Sequence, residues 1–470
     1  MPAPGKADSV QDVVVVVPGI MGTRLSRHGE PVWALSGGAL WNGLKSLGKS
    51  IQALELPADI GDEHPGDGVE LAGLMPDLHG LPGLGPFVGG YSDLTRWLRE
   101  NLGLVEAKDG RPGNLVEFGY DWRLSNRYNA TQLKEVATDA LRAWRRDGHE
   151  AAKLVFFCHS MGGLVARYYL EVLGGLEETR SLITVGTPHQ GSLKALDNLV
   201  NGRRIGIGPF GLDVAALARS FPSSHQLLPI YRCIERDGKL LNLADAPPPR
   251  LEPAMVADAR RFHAEIGDAI AGEAERPYGL RTIVGTRQPT LASARIDGDR
   301  VETLLTIDGD EELGDGTVPR FASIPAELKG TDLRQLSSGK RHGWLQQSQG
   351  VLDDFQGILT ARDVIFMASE TEVELDAGIE VPEVVAPDEE LCIRAQNGDD
   401  RLLLLATLRD ADGTIEGAPV ALENHGGGSY EVRFGPVAEG AYTVTVENPR
   451  AGPVEPVVEA VLVAPTEVGD

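Results

Sequence analysis

Cysteine is scarce in this chain: 470 residues carry three, Cys158, Cys233 and Cys392, far apart and without metal-ligand spacing. That argues against a disulfide framework or a zinc site and points to a reducing compartment. Long apolar runs are missing too. The first hydrophobic stretch, Val13 to Val17, is far too short to span a bilayer, and the segment before it has one lysine and no apolar core. No secretory signal is therefore expected, and the chain reads as a cytoplasmic protein. Cations are outnumbered, with 44 Lys and Arg against 69 Asp and Glu for a formal charge of −25. So acidic a chain repels nucleic acid and anionic surfaces at long range, which argues against nucleic acid as a partner.

What is present looks globular: 42% of residues are apolar and 24% charged, and the length suggests two domains. The chain is organised around LVFFCHSMGGLV, residues 154 to 165. An apolar, aromatic run meets a serine among small residues and then a helical apolar pattern (Leu164, Val165, Tyr168, Tyr169), so strand gives way to helix at Ser160. That is the context of a nucleophile elbow, in which a strained turn lifts the hydroxyl above a sheet edge and the flanking residues must be small. Gly162 suits this, and Cys158, where the motif usually has glycine, is still compact. The alternative is an ordinary turn whose serine caps the helix.

On either side, strands and helices alternate. Val13 to Val17 reads as a strand buried on both faces. Residues 1–11 before it are expected to be flexible. Leu115 to Tyr120 is a second strand, a helix runs from about Thr131 to Arg146 with Leu133, Val136, Leu141 and Trp144 on its apolar face, and Ser181 to Val185 and Leu280 to Gly285 are further strands. This order predicts a mostly parallel sheet with helices on both faces. Residues 31 to 90 lack a strand period and read either as a binding loop presenting Trp33 and Trp41 or as an excursion with those rings in the core. From about 193 to 275 the strand signal is thin, which predicts a lid whose Phe210, Leu212, Phe221 and Leu227 offer apolar surface. After about residue 365 short alternating segments separated by Gly-rich turns predict a C-terminal all-β, immunoglobulin-like sandwich over 366–470.

A serine needs a base to take its proton, and the base needs a carboxylate to hold its tautomer. Behind an elbow of this kind the chain order is Ser, then Asp or Glu, then His. Asp315 lies between two glycines just before Thr-Val-Pro. Only His342 and His425 follow it, and His425 sits in a Gly-rich hairpin of the β region, so His342 is the candidate base. His159, beside the serine, reads as packing. The Pro18–Gly22 turn after the first strand brings backbone amides forward, and that of Ile20 with that of Met161 would form an oxyanion hole. The acidic run Asp308, Asp310, Glu312 starts like a calcium loop, but Leu313 and Pro319 occupy positions needing Gly and Glu, so a solvated turn is expected. No metal or cofactor is expected.

Taken together, VPGIMGTRL (17–25), FGYDWR (118–123), CHSMGG (158–163), GTPHQGS (186–192), RSFPSSHQLLP (219–229) and GDGTVP (314–319) resemble, in order, the lecithin:cholesterol acyltransferase-like family, to which lysosomal phospholipases and plant phospholipid:diacylglycerol acyltransferases are related. The resemblance spans about residues 12–360. It implies an α/β-hydrolase domain over 12–365, an acyl-enzyme on Ser160, a triad completed by Asp315 and His342, an oxyanion hole from Ile20 and Met161, and a lid over an acyl pocket. Lipid acyl esters, phospholipids first, would be the substrates, with transient membrane contact. Two other readings stay open: a soluble carboxylesterase acting on small esters, and a silent hydrolase scaffold that binds a protein partner of unknown identity through its β-sandwich.

Overall fold

The computed structural model describes residues 10–33, 54–76, 90–202, 204–205, 212–272, 276–328, 336–360, 373–374, 377–397, 401–410, 413–450 and 454–467. Its centre is a six-stranded parallel sheet of β1 (Val13–Val17), β2 (Leu115–Glu117), β3 (Leu154–His159), β4 (Thr179–Val185), β5 (Gly279–Gly285) and β6 (Leu336–Ser338), in the spatial order β6-β5-β4-β3-β1-β2. The uninterrupted Val13–Val17 run has a direct cause. Because strand side chains alternate, Val13, Val15 and Val17 feed one apolar core while Val14 and Val16 feed the other. Strand β3 divides in the same way, Leu154, Phe156 and Cys158 to one side and Val155 and Phe157 to the other. Burying each such aliphatic side chain is worth about 1.5–3 kcal/mol, which makes these central strands the firmest part of the sheet.

On one face pack the helices Asn126–Arg146 and Met161–Glu171, and on the other Ser92–Leu102 and Gln349–Thr360. This is an α/β-hydrolase fold. Several boundaries differ from the sequence expectations. The helix expected from Thr131 begins at Asn126, because the Ser125 hydroxyl accepts the Arg127 amide and caps it. Val136 is 43% exposed. The buried stripe is Leu133, Ala137, Leu141 and Trp144, so a small alanine takes the helical spacing assigned to valine. The N-terminal tail is tied down earlier than residue 11: Val10 is buried, and the Gln11 carbonyl accepts the Trp144 indole N–H.

Within 31–90 the described residues 31–33 and 69–74 are strand, while 54–68 run as turns and irregular backbone. Thr23–Arg27, Glu30–Trp33 and Val69–Leu74 form a three-stranded antiparallel sheet. From 193 to 272 run the helices Leu193–Asn201, Val214–Arg219, Pro222–His225 and Pro253–Ala271 and the hairpin Ile234–Arg236/Lys239–Leu241. That hairpin joins Ser293–Asp297 and Arg300–Leu304 in a separate four-stranded sheet. The excursion therefore draws on chain beyond 275, after β5 has already returned to the central sheet. Toward the C-terminus, a four-stranded and a five-stranded sheet enclose an apolar core around Leu391, Ile393, Tyr430, Val444 and Val461. Both sheets are antiparallel except at one parallel pair, Val384–Val385 beside Val457–Val463. The expected boundary at 365 lies outside the described residues.

The excursion is locked to the hydrolase core by buried polar groups. Gln226 accepts the Asn126 amide and donates to Ser125, Ser223 donates to the Trp122 carbonyl, and His263, on helix Pro253–Ala271, bonds the Gln226 carbonyl at 2.9 Å. Burial pushes the His263 imidazole down from 6.5 to about 4. The unfolded chain therefore takes up this proton before the folded one does. The stability that depends on a neutral His263 is complete above pH 6.5 and is lost as pH falls toward 4, on the order of 3 kcal/mol in all. Urea denaturation at pH 7 and pH 4.5 should show a smaller acid loss in His263→Gln than in the parent chain, and equal losses would refute this assignment.

Candidate active site

At the C-terminal end of β3 the chain turns into helix Met161–Glu171 through Ser160, whose φ of 52° and ψ of −126° lie where residues other than glycine are strained. Close backbone packing imposes this conformation. A Cβ at Gly162 would collide with the Val17 and Pro18 carbonyl oxygens, and one at Gly163 with the Thr187 side chain. The Thr187 hydroxyl in turn donates to the Ser160 carbonyl at 2.9 Å. Cys158, in the first small-residue position of the motif, is fully buried, and burial raises its thiol well above its ordinary range. It stays protonated, so it does not compete with the serine as a nucleophile.

His342, at the start of a short 3-10 segment (His342–Gln347), places Nε2 2.8 Å from Ser160 Oγ and Nδ1 2.7 Å from Asp315 Oδ2. The other Asp315 oxygen, Oδ1, accepts the amides of Thr317 and Val318 at 2.9 and 2.7 Å, and the His342 amide donates to the Asp315 carbonyl at 2.8 Å. An acceptor carboxylate at Nδ1 requires the proton there, which leaves Nε2 to accept from the serine hydroxyl. All three side chains are nearly inaccessible to solvent. Asp315 stands just past the end of a short strand that lies outside the central sheet. It follows Leu313–Gly314, which pairs antiparallel with Gln288–Pro289, and it packs against the end of β5, where a Cβ at Gly285 would collide with its backbone.

His159 packs with a defined role that the sequence did not reveal. The Gly19 amide donates to the Tyr91 hydroxyl at 2.8 Å, that hydroxyl meets His159 Nδ1 at 2.8 Å, and His159 Nε2 meets the His342 carbonyl at 3.0 Å. One buried hydrogen-bond chain thus joins the Pro18–Gly22 loop to the backbone of the candidate base. Tyr91 lies outside every motif, so nothing in the sequence marks it. The FGYDWR motif proves to be scaffolding for the same loop. Tyr120 donates to the Pro18 carbonyl, Trp122 to the Thr23 carbonyl, and buried Arg123 pairs with Asp121 at 2.7 Å and Asp67 at 2.9 Å.

Ser160 opens into an apolar pocket lined by Ile20, Pro188, Ala195, Leu199, Ala218, Leu227 and Val318, with Ser192, Lys194, Asn198, Ser224 and Thr317 at polar points. Among the described residues the amides of Ile20 and Met161 have no hydrogen-bond partner. Of the candidate substrate contacts among the described residues, Leu227 lines this pocket and Trp33 and Phe221 do not. Trp33 is instead an interior residue, donating to the Met21 carbonyl and meeting Trp122 edge-on. Phe221 is likewise buried against Trp122, because its ring turns into the core beneath helix Val214–Arg219. Trp41 and Phe210 lie outside the described residues. Among those described, no group of His, Cys, Asp and Glu could hold a metal ion, and no helix is long and apolar enough to cross a membrane.

Residues 91–244, about a third of the chain, match the family model described as lecithin:cholesterol acyltransferase. No curated protein matches the chain. Among solved structures, the Bacillus licheniformis lipase BlEst2 in its mature form is 12% identical, with 76% of this chain and 95% of that chain covered at a TM-score of 0.35. Its propeptide form, also 12% identical, covers 98% of this chain and 95% of that chain at the same TM-score of 0.35. A superoxide reductase (neelaredoxin) from Ignicoccus hospitalis is 16% identical over 18% of this chain and 79% of its own, with a TM-score of 0.15.

The carbonyls facing Gly162 belong to the backbone and cannot rotate away. Gly162→Ala should therefore cost about 3 kcal/mol or more in urea denaturation. A loss under about 1 kcal/mol would show that the elbow is less tightly packed than described.

Proposed function

We propose that this chain is a serine hydrolase or acyltransferase acting on lipid acyl esters. The observation that carries the reading is the unbroken line Asp315–His342–Ser160 opening into an apolar pocket. The match of residues 91–244 to the lecithin:cholesterol acyltransferase model supports the substrate class. His342 Nε2 takes the proton as Ser160 Oγ attacks the ester carbonyl, and Asp315 stabilises the resulting imidazolium. The Ile20 and Met161 amides hold the oxyanion, worth roughly 3–4 kcal/mol per donor in serine hydrolases of this type. The imidazolium then protonates the departing alcohol, leaving the acyl group on Ser160. Water or an acceptor alcohol, deprotonated by His342, attacks that acyl-enzyme and frees the serine.

The pocket lining suits an acyl chain, since its walls are mainly Ile, Leu, Val, Ala and Pro. Lys194 and Asn198 stand at its edge, where the polar part of a lipid would begin.

On a series of acyl esters of increasing chain length, Ser160→Ala should lower turnover by several orders of magnitude, on the order of 10⁶ in a comparable triad. Ala218→Phe, which fills the pocket, should move the optimum to shorter chains. Ester turnover retained by Ser160→Ala would refute the mechanism. A short-chain optimum in the parent, unaffected by lipid dispersions, would make small esters the substrates.

A further inference from the structure

Two buried side chains join the loops carrying Asp315 and His342 to the C-terminal sandwich. Gln288 is fully buried on the short strand that pairs with Leu313–Gly314, immediately before Asp315. Its amide nitrogen donates to the Gly339 carbonyl at 2.6 Å and reaches the Ala377 carbonyl at 3.5 Å, while its oxygen accepts the Ile379 amide at 2.9 Å. One residue thus joins the acid's strand through its backbone, and through its side chain the loop leading to the base and the sandwich strand Gly378–Glu380. Packing here is close, since a Cβ at Gly378 would lie 2.8 Å from the Arg287 carbonyl oxygen.

Arg341 makes the second junction. It precedes His342, its side chain is 15% exposed, and its guanidinium pairs with Glu459 and donates to the Ile379 carbonyl, both in the sandwich. The same guanidinium lies over Gly316, the residue after Asp315, where a Cβ would come within 3.0 Å of Nη2. Burial lowers this cation to about 10, while Glu383, Asp315 and Glu380 help retain its charge. A third contact, Lys194 to Glu383 at 3.1 Å, ties the edge of the serine pocket to the sandwich. Beside these contacts lies a cavity of about 580 Å³ lined by Lys194, Gly316, Arg341, Ile379 and Glu383. Elsewhere the sandwich packs Val384, Ala441, Ala460 and Leu462 into the same apolar core as the hydrolase domain, but beside this cavity discrete polar contacts reach the Asp315 and His342 loops.

We propose that Arg341 and Gln288 are positioning residues through which the C-terminal sandwich holds the Asp315 and His342 loops in register, so that the sandwich is an integral part of the catalytic unit. The proposal rests on the triad reading above. Small displacements of an acid or base weaken catalysis steeply, whereas the apolar pocket that binds the acyl chain is lined mostly by other elements, with Thr317 and Val318 contributed by the Asp315 loop. Loosening the junction should therefore lower kcat more than it changes KM.

The test uses the full chain with Arg341→Met, Arg341→Lys, Glu459→Gln and the Arg341→Met/Glu459→Gln pair. It compares Ser160 phosphonylation rates by a fluorophosphonate, ester kcat and KM, and thermal melting. Arg341→Met should lower phosphonylation and kcat roughly ten- to a hundredfold with KM nearly unchanged. Arg341→Lys should recover part of the loss. Glu459→Gln reaches the hydrolase core only through Arg341 among the described contacts, and it should lower kcat several-fold, with the double variant no slower than Arg341→Met. Folded Arg341→Met and Glu459→Gln proteins that are phosphonylated as fast as the parent would overturn the proposal and leave the triad reading intact. A parent chain that is not phosphonylated would overturn both. Should Arg341→Met melt early, Glu459→Gln decides alone.

Discussion

The architecture depends on a near-collision of backbones beneath Ser160. Strands β1 and β3 run parallel in register from Val13 opposite Leu154 to Val17 opposite Cys158. The chain leaving β1 and the helix leaving β3 therefore emerge at one edge and must share one space. They fit because Gly162 and Gly163 present no side chain to the Val17 and Pro18 carbonyls and to Thr187. The cost is a serine at φ 52°, a strain of order 1–3 kcal/mol that only a rigid, doubly buried sheet sustains. The return is a hydroxyl at the sheet edge, beside the first helical amide.

Around that turn the polar groups form connected chains. Buried donors and acceptors left unmatched cost about 1–3 kcal/mol each, so a dry site is stable only if its hydrogen bonds close. Asp315 spends one oxygen on two backbone amides and the other on His342, while Tyr91 and His159 link Gly19 to the His342 backbone. These bonds settle the tautomer of His342 by what surrounds it, and they seat the loop that would hold an oxyanion.

The excursion and the C-terminal sandwich each meet the hydrolase core through apolar packing together with buried polar contacts. Gln226 and Ser223 fasten the excursion through buried hydrogen bonds to the FGYDWR turn and the following helix, with His263 holding the Gln226 carbonyl from within the excursion, backed by the apolar contact of Phe221 with Trp122. The sandwich has its own core, shares Val384, Ala441, Ala460 and Leu462 with the core of the hydrolase domain, and leaves a cavity along the junction near the Asp315 and His342 loops, where Gln288, Arg341 and Lys194 bridge the gap. Apolar packing is non-directional and tolerates small slips, whereas hydrogen bonds fix register.

Local pattern alone determined the doubly buried β1, the strand-to-helix turn at Ser160 and the alternating strands of the C-terminal region. Each is set by side-chain periodicity or by the size of adjacent residues, both written in consecutive positions. The candidate carboxylate and imidazole were also legible, through chain order behind the elbow. Tertiary structure alone decided what depends on contacts across the chain. It put Asp315 and its short strand beside β5, replaced Val136 by Ala137 in the buried stripe, turned Trp33 and Phe221 into core residues, and brought Tyr91 to His159. An aromatic ring's hydrophobicity is the same in a core as in a pocket, and a hydroxyl 68 residues away from its partner leaves no trace in local spacing. Which of these groups meet is determined only when the sheet order and the packing of its loops are complete.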